Sequence, residues 1–383
     1  MQLSKTCSAL VLTELFLPTK GGTTVWYDAV YRRLGGKELH IVTAAVPGAE
    51  AVDRNHPNSI HRIGLKRVWW LKPESLGMYL KMLGQSLRLA LRHHFDVVHA
   101  ARALPEGLVA WIMARLLRKP LVVYCHGEEL TTWGRGRKFR TMLWVYRHAD
   151  ANIANSEYTL EEMVRLGVRR ERITLIYPGV DTERFCPGLP CDDLKQSIGL
   201  QPGKKLILSV GRLVRRKGFD QVIRALPELV KQGIDAQYAL IGIGDDWDYL
   251  AGLARELGVS ERLHLLGHVS PEDLPRWYNA CDAFIMANRD INGDTEGFGM
   301  VFLEAAACAK PAIAGQAGGT GAAVVDGVTG YRVDGTLVEA VATALLTVLG
   351  DAMLAARLAS AGLARARAEF SWDAVADKTR NLV

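Results

Sequence analysis

Short apolar runs alternate with longer amphipathic stretches along almost the whole chain. In the first half, strands are predicted at residues 9–15, 39–44, 96–100, 121–127, 151–156 and 173–179. Between them, residues 75–93 repeat leucine at the spacing of one helical face, namely Leu76, Leu80, Leu83, Leu87 and Leu91. Strands that alternate with helices predict an α/β fold with a parallel sheet covered on both faces.

This alternation stops at residues 178–205, which contain four prolines and four glycines and no clear strand. Such a composition predicts a linker, so we expect an N-terminal domain at 1–183 and a C-terminal domain at 184–369. Strands are predicted again at 205–211, 237–244, 263–269, 283–288, 311–315 and 330–333. We expect two Rossmann-like, doubly wound domains that face a central cleft, with ligands beyond the carboxyl ends of the strands.

The composition is that of a globular protein, with 49% apolar and 23% charged residues in a chain of 383. No apolar run reaches the ~18 residues of a membrane span. Glu14 interrupts the N-terminal apolar run, which favours a first strand over a signal peptide. The six cysteines form no CxxC pair and no Cys/His cluster, which favours free thiols in a reducing compartment. We therefore expect a cytoplasmic protein.

The charge is uneven along the chain. Residues 1–183 carry 26 Lys and Arg against 17 Asp and Glu, a net charge of +9, whereas residues 184–383 carry 21 against 24, a net charge of −3. A basic first half indicates an anionic partner for that half. In 66–94 and 134–148 the cations are interleaved with Trp, Tyr and Leu, which favours an anionic membrane surface; we expect no nucleic-acid partner.

A helix over 137–148 would separate these residue types. Its polar side would carry Arg137, Lys138, Arg140 and Arg147, and its other side Phe139, Leu143 and Tyr146. That arrangement suits a helix lying at the interface of an anionic bilayer. The alternative is that the aromatic and leucine side chains belong to the core and the cations are simply solvated.

The segment GRLVRRKGFD (211–220) directly follows a predicted strand. Gly211 allows a turn, and Arg212 and Lys217 then lie between the end of the strand and the start of the next helix. An arginine fork and a lysine point charge at this place could clamp a diphosphate. The alternative is a solvated basic loop.

The segment EGFGMVFLE (296–304) places one carboxylate on each side of a helix start. Gly297 and Gly299 allow close approach to the backbone, and the free N–H groups of a helix N-terminus favour anions and sugar hydroxyls. Glu296 precedes the helix and Glu304 lies inside it, so the two acids suit different parts of an elongated ligand. Alternatively, Glu296 interacts with the helix dipole and Glu304 pairs with a cation.

Two weaker signals lie in the first half. Gly21 and Gly22 precede the first predicted helix and permit close approach at its N-terminus. His126 follows a central predicted strand, so it could face a ligand or be a structural histidine bonded to the backbone.

Together these segments resemble the retaining glycosyltransferases of family 4, which have the GT-B fold. The resemblance covers nearly the whole chain, and its most specific parts are GRLVRRKGFD and EGFGMVFLEAAACAKPAIAG. TEGFGMVFLEA and HGEE are most similar to the phosphatidylinositol mannoside mannosyltransferases. We also expect residues 370–383 to form a helix that crosses back to the N-terminal domain.

The resemblance implies that Glu296 holds hydroxyls of the donor hexose and that Glu304 holds the donor ribose. The donor would also contact the helix start formed by Gly297, Phe298, Gly299, Met300 and Val301. A GDP-mannose donor is favoured over UDP-sugars, and the acceptor would be a glycan or a lipid-linked molecule at the cytoplasmic face of the membrane.

By the same resemblance, Arg212 and Lys217 would neutralise the leaving diphosphate, assisted by a backbone N–H of Gly22. His126 would contact the sugar near its C6 hydroxyl. The base would be held by the backbone at Gly267, His268 and Val269. Transfer with retention would proceed by attack on the same face, and no metal ion or cofactor is implied because the cations supply the positive charge.

Two motifs suggest other chemistry. GDDWD (244–248) contains D-x-D, a metal motif of another glycosyltransferase fold, but it also suits the acids of a helix start. GIG (242–244) lacks the third glycine of a dinucleotide fingerprint, because Trp247 occupies that place. A sugar-nucleotide epimerase of GT-B fold, a non-catalytic GT-B subunit and a transferase with a soluble acceptor remain alternatives.

Overall fold

A computed structural model of the chain describes residues 8–19, 21–65 and 75–382. It divides into two compact units. One runs to Pro178 and takes in the segment from Trp372 onward, and the other comprises Gly179–Ser371. The first change of unit therefore falls at the start of the proline- and glycine-rich stretch, slightly before residue 183.

The first unit is built on a seven-stranded sheet. Its strands are β1 (Ala9–Leu12), β2 (Leu39–Ala44), β3 (Ser59–Ile63), β4 (Val97–Ala100), β5 (Leu121–Cys125), β6 (Ala151–Ala154) and β7 (Ile173–Leu175). All neighbours are parallel, in the order β3-β2-β1-β4-β5-β6-β7. Every residue of β1, β4 and β5 is buried, as a parallel sheet covered on both faces requires. The edge strand β3 is only half-buried, and its sequence SIHRI has too few apolar residues to predict a strand.

The second unit has a six-stranded parallel sheet. Its strands are β8 (Lys205–Val210), β9 (Ala236–Ile241), β10 (Leu263–Gly267), β11 (Ala283–Met286), β12 (Ala312–Gly315) and β13 (Gly330–Val333). Their order is β10-β9-β8-β11-β12-β13. The strand order reverses between β8 and β11, and between β1 and β4 in the first unit; ligands of doubly wound sheets bind at such points.

Helices cover both sheets. In the first unit they are α1 (Gly22–Leu34), α2 (Ala49–Asn55), α3 (Leu76–Ala90), α4 (Leu108–Leu117), α5 (Glu128–Thr132), α6 (Arg137–His148) and α7 (Glu157–Arg165). The second unit contains α8 (Asp192–Ser197), α9 (Phe219–Lys231), α10 (Trp247–Glu256), α11 (Asp273–Ala280), α12 (Met300–Ala307), α13 (Val338–Gly350) and α14 (Ala352–Glu369).

The last helix, α15 (Trp372–Arg380), belongs to the first unit and packs against α1. Arg33 of α1 donates to Asp373 of α15 over 2.7 Å. In the described ranges no single helix is long and apolar enough to cross a bilayer. Helices α13 and α14 reach that length and hydropathy only when taken together, and their axes bend by 97° at the break between them.

Helix α3 turns an unexpected face toward the sheet. Its buried residues are Met78, Met82, Ser86 and Leu89. Most of its leucine row is exposed, at 37% for Leu76, 59% for Leu80 and 40% for Leu87, and Leu91 just beyond the helix is 87% exposed. Leu83 of the same row is half-buried and packs against the core. The leucine spacing gives the helix correctly, but a second apolar row containing two methionines occupies the side that meets the core. Residues 66–74 of the basic stretch, with Trp69 and Trp70, lie outside the described residues.

Helix α6 has the bounds that its sequence predicts, 137–148. Its apolar side, however, belongs to the core, since Phe139 is 4% and Tyr146 is 0% exposed and both pack in the main hydrophobic cluster of this unit. The expectation that this side rests on lipid is therefore wrong. The cations Arg137, Lys138 and Arg140 are exposed, as expected.

Candidate active site

In the second unit, most of the predicted site residues lie beyond the carboxyl ends of β8 and β11, the two strands at which the strand order reverses. The loop after β8 contains Arg212 and a 3₁₀ turn, Arg215–Lys217. The loop after β11 contains Glu296 and leads into α12. Because the two strands are neighbours in the sheet, these loops are brought together from positions about 80 residues apart in the chain.

Gly218 holds the two loops in close contact. Its φ of +71° lies in the left-handed region, and a Cβ built on it would stand 1.8 Å from the carbonyl oxygen of Ala287, directly after β11. Any side chain would therefore force the loops apart. A hydrogen bond of 2.8 Å from the N–H of Arg289 to the carbonyl of Arg216 joins the same two segments.

Glu296 forms the centre of this contact. Its Oε2 accepts a hydrogen bond from Lys217 Nζ and another, of 3.0 Å, from Arg216 Nη1. Burial alone would raise the pKa of Glu296, but the neighbouring cations Lys217 and Arg216 outweigh it and hold the pKa below its usual value. The site thus contains an ionised carboxylate between two cations.

Arg212 behaves differently from Lys217. Its side chain is exposed, and it has no hydrogen-bond or ion-pair partner within the described part of the chain. Lys217, by contrast, is tied to Glu296. The sequence-predicted pair of cations therefore shares one loop, with one member engaged and the other available.

Helix α12 begins where the glycines predict. Gly299 precedes it with a φ of +86°, and a Cβ at this position would stand 2.6 Å from the ring of Phe302. Met300 and Val301 are the first helical residues, half-buried, and their N–H groups lie in the turn that lacks intrahelical acceptors. Gly297 and Phe298 precede this turn, and the Phe298 ring is 3% exposed. The helix start thus presents backbone donors beside Glu296.

Glu304, one turn further along α12, has a different environment. Tyr278 of α11 donates a hydrogen bond of 2.7 Å to its Oε2. Burial raises the pKa of Glu304 to about 7, although the bond from Tyr278 and the charge of Arg184 act in the opposite direction. This carboxylate is therefore half protonated near neutral pH, and a ligand that donates hydrogen bonds to it would stabilise the ionised form.

The predicted base-binding segment lies at the end of β10. Gly267 has a φ of +63°, and its carbonyl accepts a hydrogen bond of 2.8 Å from the N–H of Gly242. A Cβ at Gly267 would be in ordinary contact with the ring of Trp247, 3.8 Å away. His268 is exposed and Val269 half-buried, so backbone and side chains of this segment are accessible within the second unit.

In the first unit, Gly22 opens α1 directly after Gly21, whose φ is +151°. Five residues further along α1, Tyr27 reaches His126 at the end of β5. His126 Nε2 lies 2.6 Å from Tyr27 Oη and 3.0 Å from the carbonyl oxygen of Ala101. Burial lowers the pKa of His126, which favours a neutral ring. Since Nε2 faces a carbonyl, it carries the proton, and Nδ1 remains as the acceptor.

Three side chains of these environments are not predicted by the sequence. Arg216 was not distinguished from the other cations of its loop, because a charge run gives no sign of which member is buried. Tyr278 lies 26 residues before its partner Glu304 and belongs to an ordinary amphipathic helix. Arg102, after β4, lies between Glu106 at 3.5 Å and Glu14 at 4.0 Å, where the strand order of the first sheet reverses.

The two suggestive motifs have structural roles. Asp246 precedes α10 and pairs with Arg215 at 3.1 Å. A Cβ at Gly242 or Gly244 would stand 1.8 or 2.4 Å from carbonyl oxygens of the loop after β8, so these glycines allow two loops to pack. No group of three or more His, Cys, Asp or Glu suited to a metal ion occurs in the described ranges.

Comparison with known proteins adds the chemistry. Residues 20–184 match the family model of Glycosyltransferase Family 4, and residues 191–365 match that of Glycosyl transferases group 1. The chain is 32% identical to the GDP-mannose-dependent alpha-(1-6)-phosphatidylinositol monomannoside mannosyltransferase of Mycolicibacterium smegmatis, over 95% of this chain and 94% of that protein. It is 34% identical to the D-inositol 3-phosphate glycosyltransferase of Rhodococcus opacus, over 93% and 84% of the two chains.

Among solved structures, Anabaena HepE in complex with UDP and glucose superposes with a TM-score of 0.82 at 22% identity, over 98% of this chain and 99% of that one. The two parallel-sheet units are thus those of a GT-B glycosyltransferase. The chain belongs to glycosyltransferase family 4 and is a hexosyltransferase, similar to the phosphatidylinositol mannoside mannosyltransferases. The resemblance noted from the sequence is confirmed. The comparisons favour a transferase over the two alternatives, an epimerase and a non-catalytic subunit.

The pKa of Glu304 leads to a prediction about stability. This carboxyl has a usual pKa of 4.5 in the unfolded chain and about 7 in the folded one. Between these values ionisation favours the unfolded state, so the wild type should lose stability relative to Glu304→Gln as the pH rises from about 4 to about 8. Urea unfolding of both proteins across this range measures the difference.

Glu272→Gln, at an exposed position of the same unit, controls for the loss of a surface carboxylate. A stability difference between wild type and Glu304→Gln that stays constant with pH would contradict the raised pKa.

Proposed function

We propose that this enzyme transfers a hexose, with retention, from a nucleotide-diphosphate sugar to a glycan or lipid-linked acceptor at the cytoplasmic face of the membrane. GDP-mannose is the favoured donor, because relatives that match over nearly the whole chain carry GDP-mannose in their names. The observation that carries the proposal is the cluster of Glu296, Lys217 and Arg216, with the exposed Arg212 in the same loop, beside the start of α12.

The donor would lie along the carboxyl edge of the second sheet. Arg212 and Lys217 would bind its diphosphate. Glu296 would accept hydrogen bonds from hydroxyls of the hexose, and the N–H groups at the start of α12 would donate hydrogen bonds to it. Glu304 suits the ribose, since two adjacent hydroxyls can donate to one carboxylate. The backbone from Gly267 to Val269 would then hold the base.

The chemistry assigned to these groups is electrostatic. Glu296 is held between two cations, so it is poorly placed to serve as a nucleophile. The remaining route to retention is attack by the acceptor on the same face of the sugar that the diphosphate leaves. The acceptor oxygen bonds to the anomeric carbon as the bond from that carbon to the phosphate oxygen breaks, and the leaving phosphate takes the acceptor's proton. Preorganised cations stabilise the charge that develops on the diphosphate.

The resemblance also assigns two groups of the first unit to the donor. A backbone N–H at Gly22 lies at the start of α1, where free N–H groups favour phosphate. His126 is fixed through Nε2 by Tyr27 and Ala101, which leaves Nδ1 to accept a hydrogen bond from a sugar hydroxyl. We therefore assign His126 to the orientation of a neutral hydroxyl and not to proton transfer.

The exposed surface of α3, α4 and α6 supports an acceptor presented at a membrane. Helices α3 and α6 both pack against α4, and none of the three sequences contains Asp or Glu. Their exposed cations are Lys81, Arg88, Arg115, Arg137, Lys138, Arg140 and Arg147. Besides the exposed leucines of α3, Leu116 of α4 is 62% exposed. Arg115 pairs with Asp150, just after α6, at 3.8 Å. Apolar side chains beside cations, on helices that contain no acid of their own, suit insertion at an anionic lipid surface.

A donor panel tests the proposal. Purified protein, a phosphatidylinositol mannoside acceptor and one nucleotide sugar at a time should release nucleoside diphosphate fastest from GDP-mannose, and EDTA should leave the rate unchanged. If a UDP-hexose is preferred, the donor is a uridine nucleotide sugar, in line with the UDP bound in the HepE structure. Absence of release from every nucleotide sugar would overturn the function, and a strict need for Mg²⁺ or Mn²⁺ would overturn the assignment of the diphosphate charge to protein cations.

The cation assignment predicts the effect of two substitutions. Arg212→Ala and Lys217→Ala should each lower turnover by ~100-fold or more, the range seen when one preorganised charge-stabilising group is lost. Both should also weaken the binding of free nucleoside diphosphate, measured by calorimetry. Arg224→Ala, at an exposed cation of the neighbouring helix α9, is the control. Near-normal turnover in either variant would remove that residue from the diphosphate site.

Membrane docking predicts co-sedimentation with anionic vesicles at low salt. Each cation near such a surface contributes about 1 kcal/mol, and salt screens it. Two variants should abolish co-sedimentation and leave nucleotide binding unchanged. One combines Leu80→Glu with Leu91→Glu, and the other combines Arg137→Glu, Lys138→Glu and Arg140→Glu. Met353→Glu, at an 86% exposed apolar residue of α14, should not abolish co-sedimentation. If the wild type ignores anionic vesicles at low salt, a soluble acceptor is the better assignment.

A further inference from the structure

Arg216 is the buried member of a basic run whose other members are more exposed. The residue is 9% exposed, whereas its neighbour Arg215 reaches outward to Asp246 and the ring of Tyr249. Its Nη1 donates to Glu296 Oε2 over 3.0 Å. Its Nε lies 3.0 Å from Asp294 Oδ1, as an ion pair without the alignment of a hydrogen bond. One planar guanidinium thus spans two acids of the loop after β11.

We propose that Arg216 is a positioning residue. It holds the Glu296 carboxylate toward the donor hexose when the Lys217 side chain turns from Glu296 to the donor diphosphate. This inference rests on the proposed function of Glu296 and Lys217. It assigns to Arg216 a task that differs from phosphate binding.

The need for such a residue follows from one shared atom. Lys217 and Arg216 both contact Oε2 of Glu296. If Lys217 also binds the diphosphate, its flexible side chain must turn from one anion to a more highly charged one. Glu296 would then lose a cation while it stays buried, and a buried carboxylate without a partner is strongly destabilised.

Arg216 is built to stay where it is. Its backbone carbonyl is bonded to the N–H of Arg289, and Gly218 two residues later packs directly on Ala287. Its fork has a fixed geometry, unlike a lysine. Of the other cations in these two loops, Arg289 pairs with Asp220 at 2.9 Å, and the exposed Arg212 is assigned to the diphosphate. Arg216 is therefore the cation that remains for Glu296 after Lys217 turns away.

Arg216→Met tests the proposal, with Arg216→Lys as the conservative variant and Arg215→Met as the matched control from the same turn. With donor saturating, Arg216→Met should lower kcat by about 10- to 100-fold, the scale of a misplaced catalytic group. The acid limb of its kcat profile should move toward neutral pH, because Glu296 loses a cation that keeps it ionised. Arg216→Lys should recover part of the lost kcat and part of the shift in the acid limb. Arg215→Met should have the kcat and the acid limb of the wild type.

A double-mutant cycle separates positioning from a general structural role. In the Glu296→Gln background Arg216 has no carboxylate to hold, so Arg216→Met should lower kcat much less than in the wild-type background. Equal losses in both backgrounds, or an unmoved acid limb with only a lower melting temperature, would overturn the inference. If Arg216→Met fails to fold, the same cycle with Arg216→Lys decides. Failure of the proposed function itself would appear as an inactive wild type.

Discussion

The charge balance around Glu296 is the constraint on which the donor side of this enzyme depends. Two cations, Lys217 and Arg216, lie close together at the end of β8, and without an anion between them they would repel each other. Removal of one partner from a buried ion pair costs about 3–5 kcal/mol, because the other charge is left unpaired. The loops after β8 and β11 are therefore held to each other by charge as well as by the close packing at Gly218.

In the first unit, neutral hydrogen bonds hold buried polar side chains in place between α1 and the sheet. Tyr31 lies 2.9 Å from His99 and close to Tyr124, and all three side chains are fully buried. Burial lowers the pKa of His99 to about 4 and raises that of Tyr124 to about 12, so neither ionises near neutral pH. With Tyr27 and His126 they form a polar layer between α1 and the sheet that keeps its arrangement without any net charge.

The sequence predicts twelve of the thirteen described strands and the loops that contain the candidate donor site, because both follow from local patterns. The edge strand β3 is the exception, since SIHRI has too few apolar residues to show a strand. Apolar runs show the strands, and paired glycines before an apolar run show the start of α12. Partners distant in the chain could not be predicted. Whether Arg212 or Arg216 is buried depends on Glu296, about 80 residues away, and the side of α3 that meets the core depends on how it packs against its neighbours. Periodicity gives two apolar rows on α3 and no means to choose between them.

The return of α15 to the first unit also bears on the order in which the protein can fold during its synthesis. The ribosome completes Gly179–Ser371 before it adds the segment that packs on α1. Until then the surface that receives Trp372, Val375 and Ala376, which are at most 4% exposed in the folded protein, has no cover. The second unit can therefore close as soon as its own residues have emerged, whereas the first unit, although made earlier, is finished last.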